Sequence, residues 1–239
     1  MASLDLGAFE VLTFDCYGTL IDWEAGILAG FGPVYQGRGH AMDGEALLVR
    51  YAAAEADLEA GPYLRYREVL GQAFRRVLAG DGIEPSPHEV AAFAGSVPAW
   101  PAFPDAAAGL AVLGTRFRLG VITNCDADLF AGSNRKLGRP FEWVVTASEV
   151  GSYKPDRRNF LAAFERIATP RERILHVAQS LFHDHVPARE LGLRTAWIDR
   201  RAGRAGSGAT PPAAAAPDLV LPDLASLAAM AVRSVSPRG

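Results

Sequence analysis

Residues 9–15 read FEVLTFD, an apolar run that stops on a carboxylate and then turns at once through Gly18 and Thr19. A run of this length bounded by a turn suits a strand buried on both faces. Strands of that kind occur in parallel sheets covered by helices on each side. The carboxylate at the end is fixed by the sheet, and it sits at the edge where open α/β sheets bind ligands. From this segment alone, Asp15 serves equally well as a turn cap.

From Leu20 to about Trp100 the pattern is helical. EALLVRYAAAEADLEAG has apolar residues at helical spacing and stops at Gly61. YLRYREVLGQAFRRVLAGDG is a second amphipathic helix, ended by Gly80 and Gly82. After this block, strands and helices alternate. AFPDAAAGLAVL predicts a helix, FRLGVITN and EWVVTAS strands, RNFLAAFERIA a helix, and ERILHVAQ a strand. VPARELGL then predicts a helix, RTAWIDR a strand, and DLVLPDLASLAAMA a last short strand and helix. Residues 202–217 form a low-complexity loop rich in Gly, Pro and Ala, and the tail SVSPRG is expected to fray.

This alternation predicts an α/β fold, a Rossmann-like parallel sheet with helices on both faces. The helical block interrupts it directly after the first strand. It is therefore expected to be an inserted all-helical cap over the sheet's carboxyl edge. The expected domains are a core of residues 1–19 and 99–239 and a cap of residues 20–98.

Three further segments place polar groups at the carboxyl ends of expected strands. FRLGVITN ends on Thr123 and Asn124, a hydroxyl and an amide able to donate to an anion. SYKPDRRNF sets Lys154 in a loop before a helix, with Pro155 fixing the turn. ILHVAQ feeds SLFHD, with Asp184 at its mouth. With Asp15, these residues form one expected site assembled from four loops.

Composition narrows what the site can serve. Of 239 residues 49% are hydrophobic and 21% charged, which suits a globular enzyme rather than a disordered chain. A net charge of −3 gives no footprint for nucleic acid. No run reaches the roughly 18 apolar residues of a membrane span, and MASLDLGAFE lacks the pattern of a secretory signal. Two cysteines, Cys16 and Cys125, without metal-type spacing suit a reduced, cytoplasmic setting. A homodimer through the cap helices is compatible with the pattern.

The four segments together resemble the motifs of the haloacid dehalogenase superfamily. These are D-x-Y-G-T at 15–19, Thr123-Asn124, Lys154-Pro155-Asp156 and Asp184, and their order and spacing match from about residue 9 to 225. The resemblance implies a Rossmann-like core with a helical cap. Most members of the superfamily are magnesium-dependent phosphatases with D-x-D-G-T, the second Asp acting as general acid. Here that position is Tyr17, whose ordinary pKa of about 10 suits it poorly to proton transfer at neutral pH. The fourth phosphatase motif, Gly-Asp-Ser, is Ala178-Gln179-Ser180 here, which removes a hard oxygen ligand.

Tyr17 in D-x-Y-G-T is similar to the L-2-haloacid dehalogenase branch, whose members need no metal. FDCYGTLIDW, PYLRYREVL and LRTAWIDR resemble that branch too. The resemblance implies a small carboxylate substrate, no cofactor and no metal, with Mg2+ required only under the phosphatase alternative. A carbon–nitrogen or carbon–fluorine hydrolase is a further alternative. Several residues depart from the branch: Gln179 and Leu181 replace a Ser and an Asn, Phe160 replaces a Tyr, and His183 precedes the last Asp.

The roles implied are these. Asp15 attacks the carbon that bears the leaving group and forms an ester, which water then hydrolyses to a 2-hydroxy acid. Lys154 keeps the pKa of Asp15 low in place of a metal. Asp184 orients Lys154 and positions the water, and Thr19 holds Asp15. Thr123 and Asn124 bind the substrate carboxylate. Tyr17 and Arg50 line the pocket under the cap, and His183 faces it.

Other features have plainer expected roles. His176 belongs to a strand and His185 is expected in solvent, so the histidines around Asp184 do not suggest zinc. Cys16 and Cys125 are expected to pack as small hydrophobes. Trp100, Trp143 and Trp197 should pack, with Trp23 near the cap hinge. The arginines at 65–76 should form a helix's solvated face.

Overall fold

The computed structural model describes residues 4–204 and 208–233. The tail 234–239, expected to fray, and part of the 202–217 loop lie outside the described residues. Six strands form one sheet: β1 (Val11–Phe14), β2 (Arg118–Thr123), β3 (Trp143–Thr146), β4 (Ile174–Ala178), β5 (Arg194–Ile198) and β6 (Leu219–Leu221). Their order is β3-β2-β1-β4-β5-β6, and each adjacent pair is parallel.

Strand β1 lies between β2 and β4, which pair both of its backbone edges, and its side chains are buried on both faces. The period of two divides them. Val11 joins Ile122, Phe160, Ile174 and Leu193 in one apolar cluster, while Leu12 and Phe14 join Val121, Val177, Leu110 and Leu224 in the other. Each fully buried Leu, Val or Phe contributes about 1.5–3 kcal/mol of transfer free energy.

Ten α-helices pack with the sheet among the described residues. Between β1 and β2 run α1 (Trp23–Gly37), α2 (Gly44–Glu59), α3 (Tyr66–Gly80) and α4 (Pro87–Ala94). Then come α5 (Ala106–Leu113), α6 (Ala127–Lys136), α7 (Ala147–Val150), α8 (Arg158–Ile167), α9 (Val186–Glu190) and α10 (Leu224–Arg233). Helices α8 and α9 supply the cluster around Val11, while α5, α6 and α10 supply the cluster around Leu12. Every expected strand forms, and the two helices expected at 45–61 and 63–82 are α2 and α3. No described helix is long and apolar enough to cross a membrane.

The chain enters and leaves the α1–α4 block through two neighbouring segments. Phe103 N donates to Leu20 O at 3.0 Å, and Asp22 N to Pro101 O at 2.8 Å. Ile21 bridges to both Tyr17 and Ala102. The block is held over the sheet edge from the other side as well. Asp126, between β2 and α6, accepts the backbone N–H groups of Tyr66 at 3.2 Å and Arg67 at 3.1 Å. A carboxylate there satisfies unpaired donors of the first turn of α3 and meets the positive end of its dipole.

Helix α1 was hidden in the sequence by Gly26, Gly30, Gly32 and Pro33, all poor helix formers. Two of these glycines are packing sites. A Cβ at Gly26 would overlap the indole of Trp100, and one at Gly30 would overlap the ring of Phe93. Gly26→Ala would therefore lose stability despite a helix-propensity gain of about 1 kcal/mol. Urea denaturation should show a net loss of about 1–3 kcal/mol, the usual effect of overpacking.

Candidate active site

Asp15 is the first residue beyond β1, and its N–H still bonds Val177 O in β4 at 3.1 Å. The chain then folds back sharply. Leu20 N and Ile21 N both donate to Cys16 O, at 2.8 and 3.0 Å. Gly18 takes φ +89 and lies against Trp23 and Gln179, so any side chain there would be strained. This turn brings Thr19 back to Asp15. Its hydroxyl donates to Asp15 Oδ2 at 2.7 Å and accepts from Gln179 N at 2.9 Å.

Lys154 is 1% exposed, and its ammonium is the centre of the cluster. Nζ donates to Asp15 Oδ1 at 2.8 Å, Asp184 Oδ1 at 2.7 Å and Ile122 O at 2.9 Å. All three of its N–H bonds are thereby matched. Its backbone is gripped as firmly. Asn124 Oδ1 accepts from Lys154 N at 2.6 Å, and Asn124 Nδ2 donates to Lys154 O at 2.9 Å.

Asp184 sits in one turn of π-helix, Leu181–His185, that follows β4. Ser180 starts the turn by accepting His183 N on its hydroxyl at 2.9 Å. Asp184 Oδ1 also receives His176 Nε2 at 3.0 Å, and His176 Nδ1 meets the Thr13 hydroxyl at 3.0 Å. Asp184 Oδ2 is buried with no hydrogen-bond partner among the described residues.

Burial is the largest influence on Asp15 and raises its pKa. Lys154 lowers it and Asp184 raises it again, so the net direction is up. The expectation of a depressed Asp15 is thus corrected: one ammonium serves two carboxylates in dry surroundings. Burial also acts to raise Asp184, but Lys154 and His176 outweigh it and hold this group below the usual range. Lys154 is driven down by burial and further up by its two aspartates, ending above the usual lysine value.

Asp15, Thr19, Lys154 and Asp184 are therefore brought together. Tyr17, Asn124 and His183 line the same chamber, of about 30 Å3, with Trp23, Glu55, Glu59, Tyr66 and Ser180. A vestibule of about 330 Å3 adjoins it and shares Glu59, Lys154 and His183. The Tyr17 hydroxyl turns from the reacting centre to Ser133 Oγ, 3.1 Å away, and its ring meets Trp100 edge-on. Burial pushes the phenol well above its ordinary value. His183 is lowered to about 4 by burial, so it is neutral at pH 7. Its approach to Glu59 at 3.9 Å is then no ion pair.

Several expectations need correction. Arg50 lies on a half-exposed face of α2 and forms a two-pronged bond to Asp81, both at 2.8 Å, so it does not line the chamber. The Asn124 amide is spent on Lys154 and, at 3.2 Å, on Glu59. The Thr123 hydroxyl is buried without a described partner and outside the chamber lining. Neither presents a free donor to a carboxylate. His185 is buried, not solvated, with Nε2 3.0 Å from Ala178 O. Gln179 and Leu181 border a separate surface pocket, and Gln179 Oε1 accepts from Thr210 there. Cys16 and Cys125 are fully buried free thiols.

His176, Glu55 and Glu59 were missed. The signal for the glutamates was present: Glu55 and Glu59 follow the buried Tyr51 at successive steps of four, which keeps them on the inner face of α2. The residues do not suit a divalent metal well. Among the described residues no group of three or more His, Cys, Asp or Glu is placed to hold one, and an ammonium already bridges Asp15 and Asp184.

A profile of haloacid dehalogenase-like hydrolases matches residues 9–180. The (S)-2-haloacid dehalogenase H-109 of Pseudomonas putida is 26% identical over 212 residues, 80% of this chain and 86% of that protein. The phosphoserine phosphatase of Thermus thermophilus is 31% identical over 179 residues, 72% of this chain and 70% of its own. The match to haloacid dehalogenase-like hydrolase domain-containing protein 3 of Danio rerio is 32% over 87 residues and spans only 36% of that protein. The solved L-2-haloacid dehalogenase from Xanthobacter autotrophicus shares the fold. Its TM-score is 0.78 at 22% identity, covering 95% of this chain and 100% of that one.

Lys154→Met leaves two buried carboxyl groups facing each other without a cation. At neutral pH it should lower the unfolding free energy by about 3–5 kcal/mol, as breaking a buried pair does. Wild-type Asp184, lowered in the folded state, adds stability above its unfolded pKa that is lost as pH falls. In the variant both acids protonate more readily, so its deficit should shrink toward about pH 4. Urea melts at both pH values check the size and sign.

Proposed function

We propose that this chain, which belongs to the haloacid dehalogenase-like hydrolases, cleaves the carbon–halogen bond of a small 2-halo acid through an ester on Asp15, without a metal. The observation that carries this reading is the Lys154 ammonium, set 2.8 Å from Asp15 and 2.7 Å from Asp184. It supplies, as a fixed side chain, positive charge for a nucleophilic carboxylate.

In the first step an oxygen of Asp15 forms a bond to the substrate carbon while the carbon–halogen bond breaks, and halide leaves with its electron pair. The carbon inverts. Thr19, donating to Oδ2, and Lys154, donating to Oδ1, hold the carboxylate plane for this attack. In the second step water adds to the acyl carbon of the Asp15 ester. Its proton passes to Asp184, whose Oδ2 is the open acceptor. The acyl–oxygen bond then breaks, the departing alkoxide takes that proton back from Asp184 to give the 2-hydroxy acid, and the remaining proton of the water leaves to solvent as Asp15 returns to its carboxylate. The sum is one halo acid and one water giving one hydroxy acid, halide and a proton.

Tyr17 supports this reading over phosphate transfer. Its hydroxyl is tied to Ser133, and burial raises its pKa, which makes it a poorer general acid for a leaving alkoxide than a carboxyl group at that position. The phosphatase alternative keeps weight from the Thermus thermophilus relative. It needs Mg2+ and is separated by the same assay.

A panel of 2-halo acids and phosphomonoesters, tested with chelator or with added magnesium, should show halide release that chelator does not reduce. One turnover in heavy-oxygen water by excess enzyme should leave the label in Asp15, and Asp15→Asn should lose at least about 10³-fold in kcat. Phosphate release that chelator abolishes, with no halide from any acid, would overturn the reading.

A further inference from the structure

Helix α2 brings two more carboxyl groups into the chamber that holds Asp15. Glu55 is 4% exposed, and its Oε1 accepts the hydroxyls of Tyr51 and Tyr66, each at 2.9 Å. Glu59, with a 7% exposed side chain, accepts from Asn124 Nδ2 at 3.2 Å. These partners all donate, which favours ionised carboxylates without neutralising them. Burial acts oppositely and dominates: it pushes Glu55 up to about 7 and raises Glu59 well above its usual value.

The described lining therefore holds four carboxyl groups, those of Asp15, Glu55, Glu59 and Asp184, against the single ammonium of Lys154. That ammonium has no N–H left over. No arginine is among the lining residues, His183 is neutral, and Arg50 points elsewhere. A separate observation agrees. Asp184 lines the same chamber, and its buried Oδ2 has no hydrogen-bond partner among the described residues. Carboxyl oxygens are in surplus and the only ammonium is spent, so the chamber lacks a group that is positive and carries N–H.

We propose that Glu55 and Glu59 select a substrate bearing a protonated amine, so that amino-bearing 2-halo acids are preferred to plain 2-haloalkanoates. The choice of halo acids rests on the aspartyl-ester reading above; the charge selectivity rests on α2. Glu59 lines both the vestibule and the chamber, so an incoming ammonium meets it before reaching Asp15. Once there, the ammonium donates to the carboxylates, which release the protons they hold in the empty chamber.

Calorimetric titration with lactate and with 3-amino-2-hydroxypropionate tests the selectivity. These are the hydroxy acids that 2-chloropropionate and its 3-amino derivative would yield. At about pH 8 the amino compound should bind about tenfold tighter or better, the effect of one favourable charge contact. Glu59→Gln and Glu55→Gln should each erase most of that ratio while lactate binds as before or better. Equal affinities in the wild type, or an equal loss of both ligands in the variants, would overturn the proposal. Halide release from the two chloro acids is followed in parallel. Tighter binding of the amino compound with no halide from either keeps the selectivity and removes the dehalogenase reading. Halide from 2-chloropropionate without any preference for the amine does the reverse.

Discussion

A lysine side chain taken fully out of water fixes the geometry of the reactive end of this molecule. A buried ammonium is tolerated only where its charge and its hydrogens are all matched. Lys154 meets that condition with two aspartates and one backbone carbonyl. Each partner comes from a different strand end: Asp15 from β1, Ile122 from β2, and Asp184 from the turn after β4. The match thus requires three neighbouring strands to keep their register. Asn124 adds a second restraint by holding the Lys154 backbone from β2. His176, anchored through Thr13 of β1, aims Asp184 at the same nitrogen. Polar groups on the sheet's own interior therefore serve the site, and the apolar clusters on both faces keep them dry.

The α1–α4 block is tied to this centre by polar contacts of the same kind. Asp126 takes the first N–H groups of α3, and Tyr153, next to Lys154, donates its hydroxyl to Leu64 O at 2.8 Å. Arg201, in the loop after β5, bonds Glu24 and Glu45 on α1 and α2, each at 2.6 Å. Each of these links starts from a loop at the carboxyl edge of the sheet. The helices are thereby positioned against the loops that carry Asp15, Lys154 and Asp184, and α2 presents its inner face to them.

The strand ends were legible because they obey simple rules: apolar runs of strand length, each closed by a polar residue and a turn. Asp15, Lys154 and Asp184 could be joined from sequence because a parallel sheet brings such ends to one edge. What α2 contributes was harder to read. Its inward side carries Glu55, which is buried, and Glu59, whose side chain is 7% exposed, so hydrophobicity underestimates the face that turns inward, and Arg50 looked like the functional charge. Arg50 lies on the side of the helix that meets Asp81, at the end of α3. Helix α1 was blurred for a different reason, since the glycines that permit close packing also erase the propensity signal. The histidines show a third limit. His185 and His176 are adjacent to the same acid in space, yet only hydrogen-bond geometry tells which one aims it.

The surplus of negative charge links the core's chemistry to the specificity of the helical block. With two aspartates on one ammonium, the resting cluster carries an excess charge in surroundings that solvate it poorly, and Asp15 feels this most. An ester at Asp15 is neutral, so its formation would leave Lys154 and Asp184 as a balanced pair. That excess would repel a second anion arriving without a countercharge, and Glu55 and Glu59, holding protons in the empty chamber, offer such an anion no cation. A site whose nucleophile gains by losing its charge, and whose walls favour an incoming cation, meets both conditions with a substrate that is positive beside the carbon under attack. The sheet edge then determines which bond is made, and the inner face of α2 determines which molecule brings it.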